Sequence, residues 1–184
     1  MLRHLPNTLT ALRLFCAPML AFLLLHGQER AALGILTFAG ITDAADGFLA
    51  KRLGVSTRFG RYLDPAADKL LMLASFLALA AIHATPAWLT LLVILRDIGI
   101  ITAIGAARLM ALPLRVVPLP IGKACTAVQV GYVALILVLL AFRIEAPVVA
   151  RFAVLTTAAF TVASGMAYAA LWLKALGARY RRAT

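Results

Sequence analysis

Thr42-Asp43-Ala-Ala-Asp46-Gly47-Phe-Leu-Ala50-Lys51, followed by Gly60-Arg-Tyr-Leu-Asp64-Pro-Ala-Ala-Asp68, places four carboxylates and two glycines inside stretches that are otherwise apolar. An ionised side chain at a bilayer centre costs about 2.5 to 3.5 kcal/mol on insertion scales, so four unpaired acids would cost on the order of 10 kcal/mol. Something positive must sit among them. Spacings of three and four residues put each pair of acids on one helical face. Gly47 and Ala50 continue the first face and Gly60 lies one turn before Asp64, which leaves room beside the acids for a phosphate and metal ions. Hard oxygen ligands without His or Cys suit Mg²⁺ or Mn²⁺, which would also supply the missing charge. A plain ion-pair reading, with Asp43 and Asp46 neutralised by Lys51, Arg58 or Arg61, accounts for the charge but not for the glycines.

Composition says that this motif is in a membrane. Hydrophobic residues make up 64% of the chain and charged residues 14%, against about a quarter charged in a soluble domain, and the mean hydropathy is +0.98. With 184 residues and about 20 apolar residues per span, the chain holds roughly six helices and no separate soluble domain. Residues 1–184 therefore read as one all-α, six-transmembrane-helix bundle. Its apolar runs are 9–26, 31–50, 62–83, 87–110, 124–142 and 148–173. The first is kept as a span rather than a cleaved leader, because it is long, carries Arg13 and Pro18, and lacks a small-residue cleavage site. Gly27, Gly54, Pro86, Pro113, Pro118, Pro120 and Pro147 punctuate the breaks.

The net charge of +11 does not indicate nucleic acid, because the cations are sorted by side. Arg3, Arg13, Lys51, Arg52, Arg58, Arg61, Arg108, Arg115, Lys123, Lys174, Arg179, Arg181 and Arg182 fall on one side of a six-span arrangement, and Arg30, Arg143 and Arg151 on the other. That bias places both termini in the cytoplasm, with the tail cations against anionic headgroups. The carboxylates then lie at the cytoplasmic ends of helices 2 and 3, so the site faces the cytoplasm. The expected setting is a bacterial inner membrane.

The run Asp43-x-x-Asp46-Gly47-x-x-Ala50-Lys51 with Gly60-x-x-x-Asp64-x-x-x-Asp68 resembles the signature of the CDP-alcohol phosphatidyltransferase family. The family normally has Arg where this chain has Lys51, a change that keeps the charge and loses the bidentate fork. The resemblance implies a six-helix enzyme, usually a homodimer, that transfers a phosphatidyl group from a CDP-linked lipid to an alcohol and releases CMP. It implies two Mg²⁺ or Mn²⁺ ions held by Asp43, Asp46 and Asp64, with Asp68 near the metals and acting as the base. Paired metals held by carboxylates suit such a transfer, since they stabilise both attacking and leaving oxygens. By the same resemblance Gly47, Ala50, Lys51, Ser56, Thr57 and Gly60 line the donor pocket, with Asn7, Thr10 and Arg13 approaching from helix 1. Helix capping is the plain alternative for Asn7 and Thr10. Arg13 needs a partner, because it lies a turn or two inside a span.

Arg108, Arg115 and Lys123 bracket a proline-rich connection on the cytoplasmic side and can bind a phosphate on the acceptor; positive-inside placement explains them equally. Arg96-Asp97, the stretch Ile121-x-Lys123-x-x-Thr126-Ala127-Val128-Gln129, and Phe160-Thr161 with Ala163-Ser164 resemble eukaryotic-type cardiolipin synthases more than phosphatidylglycerophosphate synthases. The implied acceptor is phosphatidylglycerol and the implied product cardiolipin, with glycerol 3-phosphate as the alternative acceptor. Arg96 and Asp97 also read as a helix-locking ion pair. Cys16 and Cys125 read as packing residues, Trp88 and Trp172 as belt anchors. Gly99, Ala103 and Ala107 read as a dimer seam or as packing within one bundle. Two other classes place acids in membranes. A divalent-cation transporter would hold them near the midplane of broken helices, and a prenyltransferase would need more helices.

Overall fold

The computed structural model describes residues 5–53, 60–110 and 119–183, with side chains over 12–44, 67–107, 109–110, 119–175 and 177. Six helices run in order: α1 (Leu5–Leu25), α2 (Glu29–Leu53), α3 (Gly60–Ala81), α4 (Ala87–Leu109), α5 (Pro120–Ala141) and α6 (Pro147–Ala183). Among the described residues there is no strand. Among the described residues three stretches are long and apolar enough to cross a membrane, Ala87–Ala107, Pro120–Ala141 and Pro147–Ala175, and α1 contributes the shorter apolar stretch Leu12–Leu25.

Three boundaries differ from the apolar runs by four residues or more, the first being the start of α1 at Leu5 rather than at 9. Helix α5 starts at Pro120 rather than at 124, because proline is preorganised for a first helical turn and its missing N–H has no partner to lose there. Helix α6 continues to Ala183 rather than ending at 173. Helical hydrogen bonding needs no apolar side chains, and the Lys-, Arg- and Ala-rich tail is made of strong helix formers interrupted only by Gly177.

The chain divides into two compact units, Met1–Pro86 with Val133–Ala146, and Ala87–Tyr132 with Pro147–Thr184. In the first, α1 packs on α2 and α3. Buried Ala17, Ala32, Ala39 and Ala67 let backbones approach, and Leu20, Leu24, Phe76 and Leu79 fill the interior. On its other face α1 exposes Phe15, Met19 and Phe22, an apolar stripe that suits lipid rather than water. Arg30 Nε donates to the Ala141 carbonyl at 3.0 Å, which satisfies one of the orphan acceptors at the end of α5. In the second unit α4 packs on α6. There Trp172 Nε1 donates to the Ala103 carbonyl at 3.2 Å, so Trp172 is an interhelical tie rather than only a belt anchor. Ala107 is buried, and Ala103 and Ala107 serve packing within the bundle, while Gly99 is exposed with open space around it.

Helices α1, α3 and α5 end in the same way. The N–H of Gln28, Ala84 and Ile144 reaches back to the carbonyl of Leu23, Leu79 and Leu139, and the N–H of Gly27, His83 and Arg143 reaches Leu24, Ala80 and Leu140. This is the Schellman cap, whose pivotal residue must be left-handed. Gly27 (φ 69°), His83 (φ 59°) and Arg143 (φ 53°) all are. A Cβ in that region costs about 1 to 2 kcal/mol, and glycine gives back roughly 0.5 to 1 in chain entropy. We expect His83→Gly to stabilise the protein by about 0.5 kcal/mol or more and Gly27→Ala, which meets no atom within 4 Å, to destabilise it by a similar amount. Thermal unfolding in detergent micelles reads both; a destabilised His83→Gly would mean that the imidazole contributes more than its backbone costs.

Candidate active site

Among the described residues, Arg13 supplies positive charge to two of the four acids. Its Nη2 lies 2.9 Å from Asp43 Oδ1 and its Nη1 lies 2.9 Å from Asp68 Oδ1. One guanidinium therefore clamps a carboxylate from α2 and one from α3 against α1. The pairing is possible because Asp43 lies in the C-terminal half of α2 and Asp68 near the start of α3, so both reach the same level of α1. Arg13 is only 2% exposed, whereas the side chains of Asp43 and Asp68 are 54% and 51% exposed. The cation sits inside and the acids form the rim. Ala67 beside Asp68 and Ala39 one turn before Asp43 are both buried, and their small size brings the three helices close enough for the clamp.

The other expected ligands follow the helices. Asp46, Gly47, Ala50 and Lys51 lie in α2, and Gly60 and Asp64 in the first turns of α3; their side chains are outside the described residues, as are those of Asn7, Thr10 and Arg108. Ser56, Thr57, Arg58 and Arg115 lie outside the described residues altogether. Asn7 and Thr10 fall within α1, which begins at Leu5. An N-cap residue precedes its helix, so capping does not explain these two. Lys123 is exposed in the first turn of α5. Among the described residues no three His, Cys, Asp or Glu side chains gather, a statement that does not include Asp46 and Asp64. What Asp43 and Asp68 show is a pair of hard oxygen donors, from two helices, converging on one positive charge and open to the outside. That donor chemistry fits Mg²⁺ or Mn²⁺.

A second polar cluster lies in the other unit. Arg96 donates from Nε and Nη2 to Ser164 Oγ at 3.2 and 2.5 Å and from Nη1 to Asp97 at 2.7 Å. Its guanidinium is 6.0 Å from the Tyr168 ring centroid. Gln129 Nε2 donates to Thr161 Oγ1 at 3.3 Å, and Thr161 Oγ1 to the Thr157 carbonyl at 2.7 Å. The Tyr168 hydroxyl accepts from Leu119 N at 3.3 Å, and a Cβ on Gly122 would fall 2.8 Å from it. Arg96, Gln129, Thr161 and Ser164, singled out from sequence as marks of acceptor type, are thus paired with one another. Their visible work is to join α4, α5 and α6. Cys16 and Cys125 are buried and unbridged, with Cys125 Sγ 3.8 Å from Thr161 Oγ1.

The family model described as CDP-alcohol phosphatidyltransferase matches residues 3–164. The chain is 37% identical over 109 residues to a probable CMP-forming cardiolipin synthase of Drosophila melanogaster, covering 59% of this chain and 34% of that protein. It is 34% identical over 159 residues to the CMP-forming cardiolipin synthase of Rattus norvegicus, covering 78% of this chain and 50% of that protein. It is 33% identical over 183 residues to a probable phosphatidylglycerophosphate synthase of Mycobacterium tuberculosis, covering 95% of this chain and 84% of that protein. The chain thus spans half or less of the two animal proteins and most of the mycobacterial one.

If the α4–α6 cluster is structural, Ser164→Ala should lower stability by roughly 1 to 2 kcal/mol, the value of hydrogen bonds to a charged group in a bundle interior. The Michaelis constants of both substrates should stay within about twofold of the parent. A changed acceptor constant at unchanged unfolding temperature would instead put Ser164 in contact with substrate.

Proposed function

The chain belongs to the CDP-alcohol phosphatidyltransferase family, and from that premise we propose that it moves a phosphatidyl group from CDP-diacylglycerol to phosphatidylglycerol, giving cardiolipin and CMP. The observation that carries this reading is the convergence of Asp43 and Asp68, two fixed positions of the signature, on one cation at the rim of α1, α2 and α3. The free hydroxyl of the acceptor gives its proton to Asp68 and its oxygen attacks the phosphorus that bears the lipid. The bond from that phosphorus to CMP breaks, and CMP leaves with the electron pair. Asp43, Asp46 and Asp64, with Asp68, hold the metals, and Mg²⁺ or Mn²⁺ bound there neutralises charge on the phosphate oxygens. Gly47, Ala50, Lys51, Ser56, Thr57 and Gly60, with Asn7 and Thr10, take the nucleotide end of the donor. Arg108, Arg115 and Lys123 take the acceptor phosphate.

This reading includes six spans, both termini and the carboxylate rim toward the cytoplasm, a homodimer, and a bacterial inner membrane as the setting. The animal and bacterial relatives are compatible with it and do not choose among hosts. Glycerol 3-phosphate as acceptor is the second reading, favoured by the length of the mycobacterial match. The two acceptors make different demands. Phosphatidylglycerol brings acyl chains, so its pocket must open sideways to lipid; glycerol 3-phosphate needs only the aqueous opening.

Purified protein given CDP-diacylglycerol and each acceptor, read by lipid mass spectrometry, should yield cardiolipin and CMP with phosphatidylglycerol, and nothing in excess EDTA. Consumption of glycerol 3-phosphate alone would establish the second reading, and divalent-cation flux into liposomes without CMP release would establish a transporter. Asp68→Asn should lower turnover by roughly 10²- to 10⁴-fold, the usual contribution of a general base, and Arg115→Ala should raise the Michaelis constant for the acceptor more than for the donor. Near-normal turnover in Asp68→Asn would move the base elsewhere.

A further inference from the structure

We propose that Arg13 is a built-in cation that holds Asp43 and Asp68 together before divalent metal arrives and yields them to the metal when it binds. The inference rests on the metal-dependent reading above. Two facts carry it. The Oδ1 oxygens of two acids expected to ligate metal each lie 2.9 Å from a nitrogen of Arg13, so a metal ion that takes either Oδ1, alone or by chelating the whole carboxylate, displaces that contact. The exposures are also asymmetric: Arg13 is buried at 2%, while its two partners are about half exposed, at 54% and 51%. An ion arriving from outside meets the acids first, and the acids can turn outward toward it while the guanidinium stays within the bundle.

The choice of arginine matters. A guanidinium stays charged at any pH a protein meets, so the neutralisation of Asp43 and Asp68 does not lapse as pH rises. Its fork lets two nitrogens serve two carboxylates from different helices, which a lysine ammonium on a single point cannot do with the same geometry. Without it, the metal-free site would hold facing carboxylates with like-charge repulsion, and α2 and α3 would separate from α1. With it, metal binding is a competition of a divalent ion against a resident monovalent one. Once released, Arg13 keeps its full charge beside the metal site, where a phosphate oxygen of the donor is the group that can take it up. Arg13 is thus a positioning residue whose partner changes with the state of the site.

The expected signature is opposite in the two states. In detergent or nanodiscs with EDTA, Arg13→Gln should unfold at lower temperature than the parent. In a Mn²⁺ titration followed by electron paramagnetic resonance, the same variant should bind Mn²⁺ roughly tenfold more tightly, within the usual range of coupling between two ligands of one site, and added Mn²⁺ should restore most of the lost unfolding temperature. A residue that merely supports the fold would weaken metal binding when removed, so weaker or unchanged Mn²⁺ affinity in Arg13→Gln overturns the proposal. Should that variant not fold, Arg13→Lys decides by the same titration, since it keeps the charge without the fork: tighter Mn²⁺ binding than the parent supports competition, and equal or weaker binding rejects it. Absence of Mn²⁺ binding by the parent protein would remove the metal-dependent reading and this inference together. Mn²⁺ binding by the parent with no gain in either variant would remove this inference alone.

Discussion

A permanently charged side chain buried among three helices constrains everything around it. Arg13 cannot be neutralised by losing a proton, and at 2% exposure it cannot reach water, so carboxylates must come to it. Asp43 and Asp68 do, from α2 and α3. That requirement fixes the register of the two helices against α1, because sliding either by one turn, about 5.4 Å, would break a 2.9 Å contact. The alanines at the interfaces follow from the same demand, since larger residues would hold the acids out of reach. The acids in turn remain at the rim, where a substrate can find them.

The second unit solves a different problem with different means. Its described residues are tied by hydrogen bonds placed along the helices: two from Arg96 to Ser164, one from Gln129 to Thr161, and one from Trp172 to the Ala103 carbonyl. In an apolar bundle such bonds are worth about 0.6 kcal/mol each on average, so they select one alignment of neighbours that packing alone would leave nearly degenerate. Thr102, by contrast, bonds to the Ile98 carbonyl of its own helix.

The elements themselves were legible in the sequence because apolar runs and breakers act locally. Glycine at 27 and proline at 147 mark the edges they were expected to mark, whereas the end of α6 was not legible from hydropathy, which measures where a helix meets lipid and not where it stops. The acids of the site were legible too, since ionised groups in an apolar stretch have no neutral explanation. Their partner was only half legible. Arg13 visibly needed an acid, and the acids visibly needed a cation, but only the packing of α1 against α2 and α3 brings Arg13 to an acid 55 positions away. The four polar residues of the second unit carried a family likeness whose physical content, mutual pairing, is a property of three helices together. No one helix displays it.

The order of synthesis gives that separation in sequence a further meaning. Helix α1 leaves the ribosome with Arg13 and no counter-charge, at an insertion cost of about 2.5 to 3.5 kcal/mol if the residue is taken to the bilayer centre. Asp43 emerges with the second helix and Asp68 only with the third, 55 residues after Arg13. The clamp at the carboxylate rim is therefore complete only when all three helices have been made.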